Sequence, residues 1–461
     1  MKSALKLSQA LVFCGVALGI GPGFAPTAGA ATFTDANWTS VGSGVDNLVW
    51  VLTVSGTNVY AGGDFTMAGG GPANRIAKWD GSGWTPLGSG TDFRVASLAV
   101  LGSDLYAGGY FTNAGGTQVN YIAKWNGSGW AALGGGLGAV SLTAPSVNTL
   151  GVLGTDLYAG GYFMTATNTG GAVVTTFFMA KWNGSSWSPV GLGMGADAGQ
   201  HPYAYAMATL GTNLYVGGGF VRATNSGGAP VTVNRIAKWD GTTWSALGSG
   251  LSDTVFALAA VGTNLYAGGG FLRATNTGGI TVPVNYLAKW DGSNWSALGS
   301  GINAQVRALA VSGSDLYAGG FFSTADDGSV GEHIAKWDGS SWSALGSGMD
   351  SIVLSLTASG DDLYAGGFFG TAGVTPANHI ARAYLQDLPT LSVSRSGVPP
   401  GGIKVSWPSV NTAGFALQKA GALTAPVTWV SNTASVSDDG TNKSVTLPPT
   451  NGAQFFRLRR P

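Results

Sequence analysis

One long pattern recurs seven times in this chain, and the ending of its last copy stands at the start. It reads V-x-x-L-x-V-x-G-(S/T)-(D/N)-L-Y-A-G-G-x-F, then a variable stretch, then N-x-I-A-K-W-D-G-S-x-W-S-A-L-G-S-G. The L-Y-A-G-G tyrosines are Tyr60, Tyr106, Tyr158, Tyr215, Tyr266, Tyr317 and Tyr364. The tryptophans that open W-S-A-L-G-S-G run in series only as Trp84, Trp130, Trp187, Trp244, Trp295 and Trp342. The seventh copy breaks off after Tyr384, and its missing ending is W-T-S-V-G-S-G, which begins at Trp38 ahead of the first full copy. An array whose end is completed by its beginning is a closed ring. Residues 38–44 are therefore expected to form the outer strand of the last unit.

Each copy offers four strand-sized pieces. In the second these are Val95–Leu101, Leu105–Phe111, Tyr121–Trp125 and Trp130–Leu133, rich in β-branched and aromatic residues and separated by Gly, Asp, Asn and Ser turns. With 77 glycines and only 10 % charged residues, the chain has no stretch suited to a long helix. Four antiparallel strands per repeat, seven times over, predict an all-β chain: a seven-bladed β-propeller closed by an N-terminal strand. The L-Y-A-G-G doublet, a following aromatic and then a tryptophan resemble the kelch repeat and, more broadly, galactose-oxidase-like propellers of secreted bacterial type. The resemblance covers residues 38–384. The chain departs from kelch in having Trp, as at Trp79, where kelch has Tyr, and in a shorter spacing to the next Trp. The galactose oxidase likeness would imply a copper site with a cysteine-linked tyrosine.

The cysteine count argues against that site. Residues 1–30 have the composition of a secretory signal: Lys2 and Lys6, an apolar run from Ala10 to Ile20, and Ala28-Gly29-Ala30 as a cleavage site. The single cysteine, Cys14, lies inside that leader. A mature chain without cysteine has no disulfide, no thiolate metal site and no thioether cofactor. The reading is a secreted or cell-surface protein with no membrane span, because the apolar run is too short to cross a bilayer. Residues 31–388 carry 13 basic and 20 acidic side chains, net −7, and residues 389–461 carry 7 and 2, net +5. Neither part has the dense basic face of a nucleic-acid binder.

Spacing sorts the loops onto two faces. Strand one to strand two is constant, as from Val49 to Tyr60, and so is strand three to strand four, as from Trp79 to Trp84. The strand two to three connection and the connection between blades vary in length. In an up-and-down blade both variable connections lie on one face. Their length variation clusters on blades three to five, at residues 137–146, 164–176, 194–203, 221–233 and 272–284. Insertions confined to one face mark that face as a candidate binding surface.

The residue before Ile-Ala at the start of strand three, where Met179 replaces Ile in blade three and Leu287 in blade five, supplies a candidate ring on the same face: Arg75, Tyr121, Phe178, Arg235, Tyr286, His333 and His379. Two neighbouring histidines suggest a proton-transfer or metal role, but a metal centre needs three or more ligands and the remaining histidine, His201, is in another loop. A packed or solvated rim explains the ring as well. The blade-six loop holds Asp326, Asp327 and Glu332, whose oxygens suit Ca2+. Their spacing fits no loop signature, and a solvated acidic turn explains them equally. No other cofactor is expected. Glu332 is the sole glutamate, which excludes a glycosidase built on two glutamates and leaves only an Asp pair. The thirteen repeat tryptophans, the lysines of I-A-K-W and the D-G turns read as scaffold.

Residues 389–461 abandon the repeat. Short alternating strands separated by Pro, Gly, Asn and Asp predict a small β-sandwich. The segments K-V-S-W-P and G-F-A-L-Q-K are similar to fibronectin type III and immunoglobulin-like domains, a resemblance that carries no catalytic motif. The expected function is a secreted, monomeric, non-catalytic binding protein whose variable-loop face takes an extracellular protein or carbohydrate. The competing expectation is a polysaccharide hydrolase or lyase with an Asp-based site on that face.

Overall fold

The computed structural model describes residues 33–138, 145–197, 201–323, 331–386, 389, 391–396, 402–409, 412, 415–421, 428–448 and 454–459. The expected leader, Asp326 and Asp327 lie outside them. Contacts divide the chain into residues 38–383 and a second unit that contains the C-terminal segment.

Between Trp38 and Tyr384 the described residues form seven four-stranded antiparallel sheets, the blades of a β-propeller. Blade two pairs Val95–Leu101, Asp104–Gly109, Ile122–Trp125 and Trp130–Ala132 in chain order, close to the strands read from the repeat. The inner strands are Val49–Ser55, Val95–Leu101, Ser146–Leu153, Ala204–Leu210, Val255–Val261, Val306–Ser312 and Val353–Ser359. Each lies beside the inner strands of its two neighbours, and the last returns to the first, so the ring is closed.

The closure is made by Trp38–Ser40, which pairs with Ile380–Tyr384, Trp38 opposite Ala383 and Ser40 opposite Ala381. This strand is shorter than the expected 38–44. Gly42 and Gly44 adopt φ of 59° and 75° and turn the chain toward blade one. Buried Trp38 donates its indole N–H to the Leu345 carbonyl at 3.0 Å. Every outer-strand tryptophan makes the same bond to the preceding blade: Trp84 to Val41, Trp130 to Leu87, Trp187 to Leu133, Trp244 to Val190, Trp295 to Leu247 and Trp342 to Leu298. In blades one to six each also faces the third-strand tryptophan directly across the ladder, as Trp84 faces Trp79 with ring centroids 5.6 Å apart, whereas Trp38 faces Ala383. The five-residue spacing between the paired tryptophans is the length of that hairpin.

The repeated glycine pair is explained by close approach. A Cβ on Gly62 would stand 2.6 Å from Val95 Cγ1 of the next blade, and one on Gly366 would stand 2.5 Å from Val49 Cγ1 across the closure. Inner-strand valine fills the space that the missing side chain leaves. The I-A-K-W lysines are likewise internal to the blades, with Lys124, Lys181 and Lys336 paired to Asp104, Asp156 and Asp315 at 3.0–3.1 Å.

The lengthened loops of blades three to five form outward hairpins. Thr165–Thr167 pairs with Val173–Thr175, and Gly136–Gly138 joins it as a third strand. Blades four and five repeat this with Arg222–Thr224, Pro230–Thr232 and Met194–Gly195, and with Arg273–Thr275, Thr281–Pro283 and Gly250–Leu251. At each hairpin tip an asparagine clamps the free edge of the outer strand. Asn168 Oδ1 accepts from Trp187 N and its Nδ2 donates to Trp187 O; Asn225 and Asn276 do the same for Trp244 and Trp295. The insertions thus satisfy backbone groups that an exposed sheet edge would leave open.

In the C-terminal unit, one sheet contains Ser392–Ser396, Gly402–Pro408, Asn442–Leu447 and Ser437–Asp438, and another contains Val430–Ser431, Ala416–Ala420 and Phe455–Arg459. Val405, Trp407, Val445 and Leu447 of the first sheet share one core with Leu417 of the second. Arg457, in the basic terminal run, donates Nε to Gln418 Oε1 at 2.8 Å and lies 4.3 Å over the Trp429 ring.

Candidate functional site

The seven residues read as a ring before Ile-Ala share one unusual backbone state. Arg75, Tyr121, Phe178, Arg235, Tyr286, His333 and His379 all have positive φ, between 63° and 75°. For a bulky side chain this is strained, at roughly 1–3 kcal/mol per residue. Two hydrogen bonds hold each in place. Its N–H donates to the carbonyl of the phenylalanine after the glycine pair, as Tyr121 to Phe111, and its carbonyl accepts from the second glycine, as Tyr121 from Gly109. Backbone geometry at the end of the blade therefore occupies this position.

The side chains of the ring stay half-buried and local. His333 Nδ1 meets Gly320 O at 3.0 Å and His379 Nδ1 meets Gly367 O at 3.2 Å, each in its own blade. Arg235 binds Gly219 O, and Arg75 reaches Thr91 O at 3.4 Å. Among the described residues no group of three or more His, Cys, Asp or Glu side chains converges. Glu332 is exposed, and its carbonyl accepts from Met349 N at 2.9 Å.

A different ring faces the axis. Every inner strand carries a β-bulge near its start, after its first residue or, in blade three, after its second, Val147, so that two residues oppose one in the second strand. The extra residues are Trp50, Ala96, Asn148, Tyr205, Phe256, Arg307 and Leu354. A bulge re-aims the side chain it carries. All seven are half-buried, and all line one cavity of about 330 Å³ at the mouth of the central channel. The up-and-down strand order places this mouth on the face of the variable connections. Deeper in, the lining changes to small residues such as Ser97, Thr149, Ala206 and Ala257 and to Leu98, Leu150, Leu258 and Leu309.

Around blades three to six the mouth carries a continuous run of rings. Phe178 stacks on Tyr162 at 6.0 Å, Tyr162 meets Tyr203 at 5.0 Å, Tyr203 meets Tyr205 at 5.8 Å, and Tyr205 meets Phe256 at 5.4 Å. His201 stacks on Tyr203 at 5.2 Å. The run ends on Arg307, whose guanidinium lies 3.9 Å over Phe256 and 5.3 Å from the Phe321 ring centroid. Burial pushes the Tyr205 hydroxyl up to about 12, so it stays neutral, and burial lowers the Arg307 pKa.

A second arginine sits across the mouth in another state. Arg94 binds Asp64 through two bonds, Nε to Oδ1 at 2.9 Å and Nη2 to Oδ2 at 2.8 Å, and covers Trp50 at 4.3 Å. Trp50 donates its indole N–H to the same carboxylate at 2.8 Å. The charge of Arg94 is thereby neutralised in place. No carboxylate is among the residues lining the cavity.

Reading the sequence by its constant positions passed over this ring. The position after the first valine of each repeat, or after Ala204 in the fourth, is W, A, N, Y, F, R and L in turn, inside a frame that hardly changes. Chemical diversity at one site of a constant frame was the available signal. That the site faces the axis follows from the bulge, which repeat spacing does not reveal.

No family model matches the chain, and no curated protein matches it in sequence. Similar solved structures include the computationally designed Ika8 protein, 15 % identical over 74 % of this chain and 97 % of that one, with a TM-score of 0.42. The WD40 β-propeller domain of Doa1 is 11 % identical over 75 % and 94 %, with a TM-score of 0.43. The β-propeller domain of the Trilobed protease from Pyrococcus furiosus is 10 % identical over 74 % and 99 %, with a TM-score of 0.37. Likeness at this level carries no functional argument, and the architecture rests on the strand pairing itself.

Proposed function

We propose that this chain is a secreted binding protein, non-catalytic, whose site is the channel mouth on the variable-connection face. The observation that carries the reading is the convergence of seven bulged side chains on one cavity of about 330 Å³. Small-ligand sites are concave, mainly apolar or aromatic, and hold a few placed polar groups. The run from Tyr162 to Arg307 has that character. The lengthened loops serve the outer blade edges, so the ligand sits nearer the axis than the insertions suggest. Secretion is supported by the leader-like composition of residues 1–30.

The polysaccharide-enzyme alternative expects a pair of acids on this face. Asp64, beside the mouth, is engaged by Trp50 and Arg94. The test is a glycan and extracellular-protein array probed with the wild type and with a Trp50→Ala, Tyr205→Ala double variant, beside a reducing-sugar release assay. Binding that disappears in the double variant while melting is unchanged supports the channel mouth. Binding that persists refutes it, and sugar release restores the enzyme reading.

A further inference from the structure

The two arginines of the mouth differ in one respect that selects a ligand. Arg94 has its counter-ion built in, because Asp64 takes both of its forks. Arg307 has no carboxylate partner among the described residues, and its Nε is buried without any hydrogen-bond acceptor. Phe256 and Phe321 lie against the guanidinium, with ring centroids 3.9 and 5.3 Å from Cζ, and neither supplies an acceptor for its N–H groups. A half-buried cation whose Nε is fully buried without an acceptor is costly, so its retention in a cavity calls for an anion that arrives from outside. A planar carboxylate matches the guanidinium fork in geometry and charge.

The neighbours of Arg307 define what carries the carboxylate. Phe256 and Tyr205 line the same cavity, and aromatic surface, negative at the centre of the π-cloud, complements the weakly positive C–H groups of a saturated ring. Tyr110, Asn148 and Ser97 add hydroxyl and amide groups across the same cavity. A space of about 330 Å³ admits a small ligand, whereas a protein partner needs an interface on the order of 1,000 Å². Resting on the assignment of the channel mouth as the binding site, we infer that the ligand is an acidic saccharide, with a uronate carboxylate on Arg307 and its pyranose ring on Phe256 and Tyr205.

The experiment titrates the full chain by calorimetry with trigalacturonate, its methyl ester, a neutral galactose trisaccharide and a tri-glutamate peptide. Binding of trigalacturonate is expected, weakened at least tenfold by methyl esterification, by 0.5 M salt and by Arg307→Met. Arg307→Met is also expected to raise the melting temperature, because it removes a half-buried charge that has no carboxylate partner among the described residues. A structural role for Arg307 would lower it. Arg307→Lys, which keeps the charge but loses the fork, serves as the second variant.

No uronate binding, or equal binding of the ester or the neutral sugar, overturns the inference. So does equal binding of tri-glutamate, which would make the site a general carboxylate pocket. If array ligands are lost in the Trp50→Ala, Tyr205→Ala variant but not in Arg307→Met, the channel-mouth site stands and the acidic-saccharide inference falls. If neither variant matters, both fall.

Discussion

Replacing Trp38 with alanine tests whether the N-terminal strand is an equal member of the ring. Trp38 is 2 % exposed, and its indole bonds Leu345 O at 3.0 Å, as Trp295, also 2 % exposed, bonds Leu247 O at 2.9 Å. A buried tryptophan removes roughly 150–250 Å² from water, an upper bound of about 4–6 kcal/mol at about 25 cal/mol/Å². Truncation of tryptophan to alanine in cores costs about 3–5 kcal/mol. The Leu345 carbonyl would also lose one of its two donors, keeping Gly348 N at 3.3 Å. The expected loss is therefore about 3–5 kcal/mol for Trp38→Ala and the same for Trp295→Ala, read from urea unfolding followed by fluorescence and circular dichroism. Trp38→Phe keeps most of the apolar contact and is expected to lose about 1 kcal/mol through the lost indole bond, since Leu345 O still accepts from Gly348 N at 3.3 Å. If Trp38→Ala costs under about 1 kcal/mol while Trp295→Ala costs several, the closure does not share in the cooperative ring and the reasoning fails.

Gly268→Ala places a Cβ 2.5 Å from Val306 Cγ1 of the next blade and is expected to cost about 1–3 kcal/mol in the same assay, whereas Gly83→Ala meets nothing within 4 Å and should stay within about 0.5 kcal/mol. Asn225→Ala opens the clamp on Trp244 N and O and is expected to cost about 1–2 kcal/mol and to speed exchange of the Trp244 amide; unchanged exchange would refute edge protection. The Asp80 carboxylate accepts from the Ser82 and Gly83 amides, which lower its pKa from 3.8 to about 2. A depressed folded pKa means full stabilisation above about pH 4, lost as pH falls toward 2. Asn126 and Asn183 make the same turn bonds without charge. Changing Asp80, Asp240, Asp291 and Asp338 to Asn should keep the fold and flatten the fall in melting temperature between about pH 4 and 2; an unchanged slope contradicts this.

The sequence by itself determined the ring. Seven copies with a displaced ending require closure, and constant spacings such as Trp79 to Trp84 are hairpins of set length, whatever surrounds them. Local chemistry of this kind is legible because turns and cross-strand pairs depend on near neighbours. Where the side chains of one blade end up relative to another was decided only by the tertiary structure. The close approach of Gly62 to Val95 joins residues of different blades. The turn of the loops of blades three to five toward the outer edge depends on backbone groups that an isolated hairpin would leave to water. The positive φ at Tyr121 is imposed by bonds to Phe111 and Gly109 rather than by the preference of tyrosine. Most of all, the channel mouth assembles one residue from each of seven repeats. Trp50, Tyr205, Phe256 and Arg307 meet there because bulges turn them to an axis that exists only once the ring has closed.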